Sequence, residues 1–103
     1  MSDNYLVALI EERDIHYEIY RVSLNTVRIL QSEIDVIRRR FEDIDRRLPD
    51  DLLRELMVQT RPFSYCIEIE YVRMHDTRAR IGELNAEIEG VIYRIGHVGP
   101  VGA

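Results

Sequence analysis

At 103 residues the chain is the size of one domain, near the length at which a partner often helps to bury a sufficient core. It carries 14 basic against 19 acidic residues, for a net charge of -5, which argues against a general nucleic-acid binder. Every basic residue is an arginine, so the usual Schiff-base nucleophile is missing. The lack of lysine fits codon bias in a GC-rich genome, or selection against lysine modification in a virus- or phage-encoded accessory protein.

The longest apolar run, "YLVALI" at residues 5–10, falls far short of the ~20 residues that span a bilayer and lacks signal-peptide flanks. Cys66 is the only cysteine, so no intrachain disulfide can form. The expectation is a cytoplasmic protein without a membrane segment.

From Asp3 to Leu48 nothing interrupts a helical pattern, and strand-like alternation is absent. Pro49, Asp50 and Asp51 read as a helix start, because proline suits a first turn and acids complement the positive helix end. A short connecting helix then runs to Gln59. Thr60, with Pro62 two residues on, reads as the N-cap of a third helix. That helix ends near Ile95, with Gly96 as its C′ residue. The tail "HVGPVGA", residues 97–103, is expected to be loose.

At 1.5 Å per residue the first and third helices would be about 68 Å and about 50 Å long, too long for a compact globule of this size. The predicted fold is all-α: an elongated, coiled-coil-like antiparallel hairpin forming one domain over residues 1–96. It has two long helices and a short connecting one.

The seam of that hairpin is written in heptads. On the first helix Val27, Leu30, Ile34, Ile37, Phe41 and Ile44 alternate at steps of three and four, placing Ile34 and Phe41 at a and Ile37 and Ile44 at d. On the third, Ile67, Tyr71, Met74, Ile81, Ile88 and Ile92 repeat the device. Two long helices with matching seams read as an antiparallel pair.

A second line widens the apolar arc. Ile15, Val22, Ile29 and Val36 recur at every seventh residue, with Ile19 beside them. The arc of the first helix then exceeds the ~100° stripe of an ordinary surface helix. Leu84 and Val91 widen the third helix in the same way. One partner helix cannot cover such arcs, and exposed apolar lines mark interfaces. Two hairpins would therefore bury these residues against each other in a four-helix or larger bundle. Another helical protein is the alternative occupant.

Polar residues interrupt the seams. Arg13 and His16 fall at a and d of the first helix, Arg78 and Asn85 at a of the third. Folding the chain so that Leu48 faces Pro62 brings Arg78 to Glu33 and Asn85 to Asn25, a register-setting ion pair and amide pair. At the turn, Leu52, Leu56 and Met57 are candidates for contact with a partner helix in a groove.

The run "IRRRFEDIDRR", residues 37–47, holds five arginines and three carboxylates. Glu42 and Asp43 stand four residues before Arg46 and Arg47, the favoured order for salt pairs on a solvated face. Arg39, Arg40, Arg46, Arg47 and Arg54 could instead line a groove of a dimer that holds double-stranded RNA through phosphate contacts. A silencing-suppressor-like role would follow. The neighbouring acids, and the absence of aromatics interleaved for stacking, favour the solvated face.

No phosphate-cradling loop is present, because "GELNAEIEG", residues 82–90, lies in a helical pattern with no strand before it. Its glycines suggest a bend or a close backbone approach, or, at the outward position of Gly90, simple tolerance. His16, His75 and His97 lack zinc spacing, and the adjacent His75 and Asp76 should point apart. Cys66 reads as a small core residue. No catalytic residue, metal ligand or cofactor site is expected.

The segments "EIDVIRRRF" and "EDIDRRL" resemble, over few residues, the first helix of chorismate-mutase-type bundles. That resemblance implies a small all-helical enzyme with basic side chains around a carboxylate pocket, for which this chain offers no counterparts. The preferred reading is a non-enzymatic scaffold, adaptor or accessory protein acting through protein–protein contacts, first of all with itself.

Overall fold

The computed structural model describes residues 2–42 and 49–98. They form a helical hairpin of two helices, α1 (Ser2–Glu42) and α2 (Asp50–Val98), and among the described residues there is no strand. The expected contacts of Ile44, Arg46 and Arg47 and the tail from Gly99 onward lie outside the described residues.

α2 starts where the sequence indicated, with Asp50 and Asp51 in its first turn. Pro49 sits just outside, and its carbonyl accepts the first helical hydrogen bond from the Leu53 amide at 2.9 Å. The separate connecting helix is not found. α2 is continuous over 49 residues with Pro62 inside it. Thr60 is therefore not an N-cap. Its hydroxyl instead donates back to the Leu56 carbonyl at 2.9 Å, a bond compatible with mid-helix threonine. Proline deprives the helix of one amide, but Pro62 and Val58 are both exposed, so water can reach the Val58 carbonyl that loses its partner. Gly96 does not stop the helix, which runs on to Val98, and no described glycine has a positive φ.

The described residues group into two compact units, one holding the start of α1 and the end of α2, the other Val22–Arg73. In the first unit Leu9 of α1 packs with Leu84, Ile88 and Val91 of α2, flanked by Leu6 and Ile10. Tyr5 bonds Glu87 and Glu12 bonds Arg80, so numbers fall on one helix as they rise on the other: the helices are antiparallel. In the second unit Val27, Ile34, Ile37 and Phe41 of α1 and Ile67 of α2 are buried.

The seam has a regular period on both helices. On α1 it is Leu6, Leu9, Arg13, His16, Tyr20, Ser23, Val27, Leu30, Ile34, Ile37 and Phe41, every one buried or half-buried. On α2 it continues from Ile67 through Glu70, Met74, Thr77, Ile81, Leu84 and Ile88 to Val91. Both follow the three–four alternation of knobs-into-holes packing.

Candidate interaction surface

The seam reassigns several residues. Leu84, with no exposed surface, and Val91 are core residues of the single chain, not parts of an interface between chains. Tyr71 and Ile92, expected in the seam, are half exposed, because they stand one position beyond the d line that Glu70, Thr77, Leu84 and Val91 occupy. Tyr71 is reached instead by Gln31, whose amide donates to the Tyr71 hydroxyl at 3.5 Å.

The register also differs from the expected one. Asn85 faces Arg13, whose guanidinium donates to the Asn85 Oδ1 at 3.4 Å, and it does not face Asn25. Glu33 and Arg78 are both exposed and no ion pair joins them among the described residues. The cause is Pro62. Taken as a break, it starts the second long helix near Thr60; as an interior residue, it leaves α2 starting at Asp50.

The polar layer that the structure builds lies in the first unit. Glu12 accepts two hydrogen bonds from Arg80, at 2.9 and 3.3 Å, and Arg80 also donates to Glu83 at 3.0 Å. These carboxylates, Glu12 first, hold the Arg80 guanidinium above its ordinary range. His16 lies 3.8 Å from Glu12, and the Arg13 guanidinium stands 5.8 Å from the centre of the Tyr17 ring. Two charged seam residues keep a buried atom without a partner, Arg13 at Nε and Glu70 at Oε2. Such groups cost stability and favour one register.

Outside the seam the chain is unusually apolar. Ile15, Val22, Ile29 and Val36 are 44–60% exposed and Ile19 is 38% exposed. α2 carries a second outward line that the sequence reading passed over: Val58, Tyr65 and Val72, seven residues apart and 62–65% exposed, with Ile69 beside them. A search for recurrence at seven, independent of the assumed helix break, would have found it. Around Pro62 the same face forms a shallow groove lined by Val58, Arg61, Pro62 and Tyr65. Of the residues expected to meet a partner at the turn, Met57 is 62% exposed, whereas Leu52 and Leu56 are half-buried.

Arg39, Arg40 and Arg54 are exposed, the first two in the last turn of α1. Cys66 is exposed and is not the core residue expected, since Ile67 takes the seam position beside it. His75 and Asp76, expected to diverge, approach to 3.5 Å, because exposed side chains free of packing can curl together. Among the described residues no group of histidine, cysteine and carboxylate side chains could hold a metal ion, and no helix is long and apolar enough to cross a membrane. No protein-family model, no curated protein and no solved structure matches the chain.

Proposed function

We propose that this chain is a non-enzymatic, cytoplasmic interaction protein that associates with itself, two hairpins meeting through the outer line of α1. The observation that supports this is the exposure of Ile15, Val22, Ile29 and Val36 at heptad spacing. Four β-branched residues on one line of a charged helix are costly in water, at roughly 25 cal/mol per Å² of apolar surface. A second helix laid along them removes that cost. The role is then that of a scaffold or adaptor, with the outer line of α2 left for another helical protein.

The competing reading is a dimer that grips double-stranded RNA through Arg39, Arg40 and Arg54. Light scattering after gel filtration, with and without an RNA duplex, separates the two. A dimer indifferent to RNA is the expected result. A complex that dissolves steeply with salt favours the RNA reading, and a monomer under all conditions removes the proposal.

A further inference from the structure

We draw no further inference here: the strongest candidate, the outward line of Val58, Tyr65, Ile69 and Val72 on α2 with its shallow groove at Pro62, is an unpartnered apolar face flanked by both signs of charge, Arg54 and Arg61 beside Glu55 and Glu68, and nothing in the structure shows what covers it.

Discussion

Gly82 and Gly90 stand inside α2 with no heavy atom within 4 Å of where a Cβ would lie. Neither marks a close backbone approach, and neither has the positive φ that would require glycine. What remains is their entropic cost to the helix. Gly82→Ala and Gly90→Ala should each stabilise the fold by about 1 kcal/mol, seen as a higher denaturation midpoint at an unchanged slope. Glu18 offers a second residue-scale case. The Arg21 guanidinium hydrogen-bonded to it holds its carboxyl below the ordinary glutamate range. A depressed pKa contributes stability above the unfolded value and loses it as pH falls through the folded one. The pair is exposed, so the contribution is small and screened by salt. An NMR titration should find Glu18 ionised to lower pH than ordinary glutamates, and Arg21→Gln should move it back up.

Helices, rather than single residues, decided how much could be read in advance. The phase of α1 was legible: Ile34 and Phe41 at a, and Ile37 at d, occupy buried seam positions, because from Val27 to Phe41 apolar residues fill the seam without interruption. On α2 the line of Ile67, Met74, Ile81 and Ile88 was equally plain. Its companion line was hidden, since Glu70 and Thr77 are polar while Tyr71 and Ile92, one place beyond it, are apolar. A rule that sends apolar residues inward picks the wrong neighbour there and mistakes Leu84 and Val91 for an outer face. Pro62 misled in another way, because a helix interrupter by propensity is overruled when long packing on both sides holds the helix together. That override has a measurable cost. Pro62 is exposed and packs in no seam, so Pro62→Ala should restore an amide for the Val58 carbonyl and raise stability by up to ~3 kcal/mol. A midpoint left unchanged would mean two helices meeting at Pro62 rather than one helix passing through it.

For the molecule entire, the question is why one helix carries two apolar lines when its own hairpin covers only one. Under the proposed self-association, folding and association depend on different residues of the same type, and isoleucines five positions apart should behave oppositely. Ile34 is 8% exposed and Ile29 is 56% exposed. A carboxylate at Ile34 would be buried in the seam without a partner, which costs several kcal/mol against a total stability of about 5–15 kcal/mol for a domain. Ile34→Asp should therefore abolish the cooperative thermal transition. At Ile29 the same carboxylate faces water in the lone chain, and only a second copy would bury it. Ile29→Asp should keep its helical circular dichroism while its mass by light scattering falls to that of one chain. If that variant stays both helical and dimeric, the outer line of α1 is a bystander, and the line of Val58, Tyr65 and Val72 on α2 becomes the surface through which the copies meet.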